Sequence, residues 1–141
     1  MNSLSRKKAH RTSMLRNLAT SLILYEKITT TTAKAKETKV IMERLIGIAK
    51  KNDLISRRRL LGYLFDKNAT KKMLEELAPR YKTVSSGFIQ SYNLGPRLGD
   101  GAAMTILELK QIKSVKKEEI EDKNGKEPSA SSGQKDIKER K

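Results

Sequence analysis

Groups of basic residues recur along this chain, and the chemistry that such groups can perform is the binding of phosphate. Residues 6–8 (RKK) and residues 57–59 (RRR) are the densest groups. Lys and Arg in the first turn of a helix oppose the helix dipole, so helix stability does not account for them. A negatively charged partner does, because it relieves the repulsion between neighbouring cations. The sequence therefore predicts a site for a polyanion.

Two further cations stand in predicted loops. Arg80 precedes Tyr81 after a predicted helix end, which places a cation beside an aromatic ring. Arg97 lies at the apex of the glycine-rich segment GPRLGDG, residues 95–101. This segment lacks the Gly-Lys-Ser/Thr of a Walker loop, so we interpret it as a hairpin connection that exposes Arg97 for a phosphate contact. For any single cation a solvated surface position is an equal alternative, and the prediction depends on their number and clustering.

Residues for catalysis or metal binding are scarce. His10 is the only histidine, cysteine is absent, and no pair of carboxylates stands in an apolar setting. General acid–base, nucleophilic and metal-site templates therefore all lack parts. We predict a protein that is not an enzyme and has no metal, no cofactor and no small-molecule substrate.

Charge divides the chain into two parts. The 141 residues hold 31 Lys and Arg against 16 Asp and Glu, which gives a formal charge of +15. Residues 114–141 contain eight of those cations and seven of those acids, so nearly all the excess lies in residues 1–113. The later part has too few large aliphatic residues to offset chain entropy. We predict a binding domain over residues 1–113 and a disordered charged tail over residues 114–141.

No targeting or membrane segment is expected. The first residues, MNSLSRKKAHR, are polar and basic, and no apolar run approaches the roughly 20 residues that span a bilayer. The absence of cysteine is compatible with a reducing compartment. We therefore predict a cytoplasmic protein without a membrane partner.

The first elements that must position the cations are a helix and a strand. Leucines recur at helical spacing within residues 8–25, which predicts a helix with Arg11, Arg16 and Asn17 on its solvent face. The threonine-rich residues 27–32 favour a strand, because β-branched side chains fit a pleated surface.

Three more helices are predicted in the middle of the chain. One begins at Ala33, a second is capped by Ser56 and buries Phe65 at its end, and a third is capped by Asn68 and stopped by Pro79.

Two strands follow, at residues 87–94 and 104–109, and the loop between them predicts a hairpin. With the first strand added, the predicted fold class is α+β. It is a two-layer domain with a three-stranded mixed sheet, helices on one face, and the order α-β-α-α-α-β-β.

The type of nucleic acid is narrowed by what the sequence lacks. It has no helix-turn-helix spacing, zinc finger or RNP aromatic pair, and only 4% aromatic residues. Recognition of folded RNA by shape and phosphate contact remains. The RNA-binding residues predicted from charge and placement are Arg6, Lys7, Lys8, Arg11, Arg16, Asn17, Lys34, Lys36, Lys39, Arg57, Arg58, Arg80 and Arg97.

An ordered series of motifs runs from about Leu4 to Leu109. It includes His10-Arg11, Leu15-Arg16-Asn17-Leu18, Glu26-Lys27-Ile28, Lys34-Ala35-Lys36-Glu37, Leu64-Phe65-Asp66-Lys67, Leu77-Ala78-Pro79-Arg80-Tyr81 and Arg97-Leu98-Gly99-Asp100. Together these motifs resemble the family of bacterial large-subunit ribosomal protein seventeen.

The resemblance implies a two-layer domain near the peptide exit tunnel, with a structural and assembly role and no reaction. Its implied partners are large-subunit ribosomal RNA and neighbouring large-subunit ribosomal proteins. The family's RNA-facing positions fall here on Arg6, His10, Arg11, Arg16, Asn17, Lys34, Lys36 and Arg97. The family segment R-x-G-G-Y-T-R-I is replaced here by residues 84–91, which lack both arginines, so no RNA contact is predicted on that strand.

Two alternatives follow from charge alone. The first is a nonspecific nucleoid-type DNA-binding protein, which competition between duplex DNA and ribosomal RNA would separate from an RNA binder. The second is a cationic protein on an anionic membrane, which would need an exposed amphipathic helix. The first helix has the required apolar face, but the domain core needs that face.

Overall fold

The structure is a computed structural model and describes residues 2–111. Its elements are α1 Lys8–Tyr25, β1 Lys27–Thr31, α2 Thr32–Ala49, α3 Leu54–Leu64, α4 Lys67–Lys72, a π-helical turn Met73–Leu77, α5 Ala78–Arg80, β2 Ile89–Pro96 and β3 Ala103–Leu109. Because α4, the π turn and α5 are continuous, they form one helical stretch, and the predicted order of elements is confirmed. The predicted tail at residues 114–141 lies outside the described residues.

The three strands form one sheet in the order β1-β3-β2. Both pairings are antiparallel, with Ile106 of β3 opposite Thr29 of β1 on one side and Tyr92 of β2 on the other. The α+β class is confirmed, but the expectation of a mixed sheet is wrong. β1 and β2 do run in the same direction, yet β3 returns through the hairpin and inserts between them, so no parallel pair forms.

The core lies between the helices and one face of the sheet. Leu22 and Ile23 of α1, Met42 and Ile46 of α2 and Leu107 of β3 are all fully buried there. Complete burial of such a side chain contributes about 1.5–3 kcal/mol. The helices α1 and α2 are therefore fixed against the sheet, and α3 packs on the helical layer against α1, α2 and α4.

Helix boundaries in the middle of the chain differ from the predicted ones. α3 begins at Leu54, after Asp53, and Ser56 is buried within its first turn instead of capping it. α4 is capped by Asp66, whose carboxylate accepts a hydrogen bond of 2.8 Å from the backbone N–H of Asn68. In both cases an Asp two or three positions earlier occupies the N-cap position, and of the two only Asp66 makes a side-chain capping hydrogen bond.

Pro79 does not stop the last helical stretch. The backbone N–H of Ala78 bonds to the carbonyl of Met73, five residues earlier, as in a π turn. A proline ring in an ordinary α-helix clashes with the carbonyl four residues before it, and the wider turn relieves that clash. The stretch therefore passes through Pro79 and ends at Arg80.

Phe65 is not buried as predicted, since 69% of its surface is exposed. It follows α3 in a left-handed conformation with φ of 58°, and its N–H bonds to the carbonyl of Leu61. This turn directs the ring out of the core and towards α1.

Candidate nucleic-acid interface

The segment before α1 is tied to α2. The backbone N–H of Asn2 donates to Glu37 Oε1 at 2.8 Å, and Arg11 Nη1 donates to the carbonyl of Asn2 at 3.4 Å. Arg6 Nη1 donates to the carbonyl of Leu4 at 3.0 Å, which closes a compact turn. The basic residues at the start of α1 are thus held beside α2.

Three arginines from three helices surround one groove, which we call the arginine groove. Arg11 of α1, Arg44 of α2 and Arg59 of α3 line it together with Tyr63, and its volume is about 370 Å³. Its remaining lining is Thr12, Leu15, Ile41, Leu45 and Ile48. A guanidinium group beside an apolar floor is less hydrated than one in open solvent, and it therefore interacts more strongly with phosphate.

Two residues of the arginine groove, Arg44 and Arg59, were not among the predicted RNA-binding residues. Arg44 lies three positions after Ile41 and directly before Leu45, at the edge of the apolar stripe of α2. A cation at the edge of a buried stripe points along the boundary between core and solvent. This position at the edge of the stripe is the feature of the sequence from which Arg44 could have been predicted as a binding residue.

Arg16 is held at the edge of the same region by aromatic rings. Its guanidinium carbon lies 3.9 Å from the centre of the Phe65 ring and 5.7 Å from that of Tyr63. Its Nε is buried without a hydrogen-bond partner within residues 2–111. Burial raises the pKa of Tyr63, and the positive charges of Arg16 and Arg44 partly offset this rise. The phenol therefore stays protonated and can donate a hydrogen bond.

Arg57 belongs to a different surface, which we call the lysine groove. It lines a groove of about 640 Å³ with Lys50, Lys51 and Lys82. Lys50 is fixed there, because its ammonium group donates to the carbonyl of Val84 at 2.6 Å. Predicted and unpredicted cations thus meet on this surface.

The lysines of α2 occupy two positions. Lys36 and Lys39 line a groove of about 360 Å³ between α2 and the sheet, where Ser91 and Asn93 form the opposite wall. Lys34 is half-buried in the first turn of the helix.

The other predicted residues stand on the surface. Lys7, Lys8, His10, Asn17 and Arg58 are all exposed. The structure therefore brings some predicted residues together in grooves and leaves these five on open surface.

Arg80 has an acidic partner inside the protein. Its Nη1 and Nη2 donate to Glu26 at 2.7 and 3.3 Å, and Lys72 Nζ lies 3.2 Å from Glu26 Oε1. The hydrogen bonds from Arg80 hold the pKa of Glu26 below its usual value, and the same pair raises the pKa of Arg80. This network joins the end of α1 to α4 and α5.

Arg97 is also paired. Its Nε donates to Asp100 Oδ1 at 3.0 Å and its Nη2 donates to Asp100 Oδ2. These bonds lower the pKa of Asp100 to about 2. The backbone N–H of Arg97 donates to the carbonyl of Ala102 at 2.9 Å, so the side-chain pair and the backbone close the same loop.

Residues 2–111 hold neither a metal-ligand cluster nor a membrane-spanning helix. That part of the chain places no group of three or more His, Cys, Asp or Glu side chains around a common metal position. None of its helices combines the length and apolar character needed to cross a membrane.

Comparison with known proteins identifies similar chains. The family model described as ribosomal protein L17 matches residues 14–110. A protein named large ribosomal subunit protein bL17 from Caldanaerobacter subterraneus subsp. tengcongensis is 45% identical over 106 residues, which cover 75% of this chain and 95% of that one. A protein of the same name from Desulforudis audaxviator is 48% identical over 100 residues, which cover 71% and 89% of the two chains. A third, from Clostridium acetobutylicum, is 43% identical over 106 residues, with coverages of 75% and 93%.

Proposed function

The chain belongs to the ribosomal protein L17 family, and from this premise we propose that the cations of its helical layer bind phosphates of large-subunit ribosomal RNA. The protein is a structural constituent of the large ribosomal subunit and not an enzyme. It acts in the cytoplasm, as part of the ribosome, beside neighbouring large-subunit proteins. The nucleoid-type and membrane alternatives have no support among its relatives. We also propose that it lies near the peptide exit tunnel.

The convergence of three arginines is the observation that carries the RNA contact. Arg11, Arg44 and Arg59 are far apart in sequence, and three separate helices bring them to one groove. No acidic side chain lines this groove. Three cations without an acidic neighbour in the lining give the groove a positive potential that attracts an anion. An RNA phosphate bound in the groove meets this positive potential, and the arginines displace counterions from the RNA.

The other predicted contacts extend this surface. Arg16 at the edge of the arginine groove is held by the rings of Phe65 and Tyr63, which reduces the entropy lost on binding. Arg57 adds a cation to the lysine groove. Arg80 and Arg97 already donate to carboxylates, so we expect smaller contributions from them. The remaining proposed contacts are Arg6, Lys7, Lys8, His10, Asn17, Lys34, Lys36, Lys39 and Arg58.

The test replaces each arginine of the groove by Gln, singly and together, and measures binding to a large-subunit RNA fragment across a range of salt concentrations. Each lost phosphate contact should reduce the slope of log K against log salt by about 0.7–0.9. The triple variant should therefore lose about two units of slope. Duplex DNA should compete poorly in the same assay.

The matched control is Lys27→Gln, which removes one positive charge from the far side of the sheet, where Lys27 lies 3.9 Å from Glu108. If the arginine variants change the slope no more than this control does, the arginine groove is not an RNA site. If the unsubstituted chain fails to sediment with large subunits, the proposed function itself is wrong.

A further inference from the structure

One face of the sheet is not covered by helices. Side chains alternate along β3, so Met104 and Ile106 lie on the face opposite the core, and Tyr92 of β2 pairs with Ile106 there. Leu94 stands at the pairing irregularity of β2, directly before Gly95, which pairs with Met104. Tyr92 and Leu94 are 49% and 55% exposed, and Ile106 is half-buried between its neighbours. We call this surface the open face.

The hairpin apex extends the open face. Leu98 is 99% exposed, the largest exposure among the large apolar side chains of the described chain. The loop that carries it is closed by the pair of Arg97 with Asp100 and by backbone bonds from Arg97 to Ala102 and from Gly101 to Arg97. A loop closed in this way holds Leu98 in solvent instead of letting it fold back onto the protein. The position is thus preorganised for a contact.

The open face and the apex are electrically neutral in a strongly basic chain. Their charged residues are Lys27, Arg97, Asp100 and Glu108, and these form two opposite-charge pairs. The chain as a whole carries +15. RNA binding requires uncompensated cations, and within the described residues the three strands and the apex offer none. The next cation along the chain, Lys110, follows the end of β3 beside Gly87.

The strand at the margin of this surface is also uncovered. β2 is an edge strand, its residues from Gln90 to Pro96 are all exposed, and it contains no charged residue. Natural edge strands usually carry charges that prevent pairing with other chains. The pairing irregularity between Asn93 and Gly95, and Pro96 at the end of β2, limit the addition of a further strand here. The exposed apolar side chains of β2 are therefore the groups that this edge offers to a partner.

We infer that the open face and Leu98 form a docking surface for a neighbouring protein of the large subunit whose contacting side chains are apolar and uncharged. The inference rests on the proposed function, because it takes the partner from the same particle. Apolar burial at a neutral surface favours protein over phosphate, and tyrosine is one of the residue types enriched in the cores of protein interfaces. The molecule then divides its main partners by face, with the strongest RNA contacts on the helical layer and protein on the sheet.

The test places a photoreactive benzoylphenylalanine at Leu98 of the full chain, which is allowed to assemble into large subunits in cells. After irradiation, the purified subunits are digested with ribonuclease and the cross-linked peptide is identified by mass spectrometry. A matched probe at Leu54, which is 65% exposed on the basic helix α3, reports the surroundings of the helical layer. If the Leu98 probe hinders assembly, the same probe at Tyr92 replaces it.

The expected result is a ribonuclease-resistant adduct between the Leu98 probe and an apolar, uncharged peptide of one large-subunit protein, whereas the Leu54 probe reacts with RNA. An RNA adduct at Leu98, an adduct with a second copy of this chain, or no adduct in assembled subunits overturns the inference and leaves the proposed function intact. Absence of the unsubstituted chain from large subunits overturns both.

A second measurement uses Leu98→Asp, with Leu54→Asp as control. Occupancy of the chain in salt-washed subunits should fall about tenfold for Leu98→Asp, the effect of losing one buried apolar anchor, and less than about twofold for the control. The salt dependence of RNA binding by the isolated Leu98→Asp chain should equal that of the unsubstituted chain. Unchanged occupancy would count against the docking surface.

Discussion

Glu26 is the acidic centre of a partly buried network, and replacing it by Gln tests whether Arg80 is a structural residue. The carboxylate accepts from both terminal nitrogens of Arg80, at 2.7 and 3.3 Å, and lies 3.2 Å from Lys72 Nζ. Gln at this position keeps the size of the side chain and one acceptor oxygen. It removes the negative charge and leaves two cations close together without a counterion.

The magnitude follows from the burial of the three side chains, which are 24%, 24% and 22% exposed. An exposed ion pair contributes about 0–1 kcal/mol, and breaking a fully buried one costs about 3–5 kcal/mol. Hydrogen bonds to charged groups contribute about 1.5–3 kcal/mol each in this setting. With water reaching a quarter of each side chain, we expect Glu26→Gln to lower the free energy of unfolding by about 2 kcal/mol.

The assay is urea unfolding followed by circular dichroism at a series of pH values. The hydrogen bonds from Arg80 lower the pKa of Glu26 from its ordinary 4.5, so the folded protein holds the carboxylate ionised at lower pH than the unfolded chain does. The contribution of the network is therefore fully present above pH 4.5 and is lost as the pH falls through the lowered folded value. The difference between the unsubstituted chain and Glu26→Gln should be largest at neutral pH and should shrink below pH 4.5.

The matched control is Glu108→Gln, whose partner Lys27 is 3.9 Å away and 58% exposed. It should cost less than about 0.5 kcal/mol. A double-mutant cycle with Arg80→Gln should give a coupling energy of about 1–2 kcal/mol. Equal losses of unfolding free energy for Glu26→Gln and Glu108→Gln, or a loss that does not depend on pH, would refute a structural role for the network. Arg80 would then count as an RNA-binding residue like the unpaired arginines.

Two further substitutions test the core. Leu22→Ala, at a fully buried position of α1, should lower the free energy of unfolding by about 2–5 kcal/mol in urea unfolding, and a loss below about 1 kcal/mol would contradict the packing of α1 against the sheet. Tyr81→Phe removes the hydroxyl that donates to the carbonyl of Lys110 at 2.8 Å, and thermal unfolding should show a loss of about 1 kcal/mol; an unchanged midpoint would mean that the carbonyl finds another donor.

The sequence predicted the elements with strong periodicity and missed the details set by tertiary contacts. The bounds of α1 match the prediction because leucines recur at helical spacing from Leu15 to Leu22, and β1 follows from its threonines. Asp53 and Asp66, as the residues that start α3 and α4, were missed because Ser56 and Asn68 offered plausible caps of their own. Burial of Ser56 is a tertiary property that no local pattern shows.

The sequence predicted where the candidate site lies better than it predicted which residues form it. Arg11 and Arg16 were expected on one side of α1, and the structure places Arg11 in the arginine groove and Arg16 at its edge. Arg44 and Arg59 complete that groove. Their side chains come together only because three helices pack against one another, and this packing could not be predicted from the sequence. The stacking of Arg16 on Phe65 was not predicted either, because Phe65 was expected in the core.

The pairing of acids gives a physical criterion for separating structural cations from binding cations. Residues 1–113 contain nine acids, and six of them, Glu26, Glu37, Asp66, Glu75, Asp100 and Glu108, make hydrogen bonds or ion pairs within the described part of the chain.

A cation next to one of these carboxylates, such as Arg80 or Arg97, already has its charge balanced and gains less from a phosphate, because binding would compete with the existing pair. The arginines of the arginine groove have no carboxylate along its lining, so the full electrostatic gain is available to RNA. The same criterion applies to the open face. Its charged side chains form ion pairs with each other, so apolar contact is the main interaction that it can make with a partner. Substituting an arginine that has no acid nearby should therefore change the salt slope of RNA binding more than substituting one that is paired with an acid, whatever their exposure. We expect larger changes for Arg11, Arg44 and Arg59 than for Arg97.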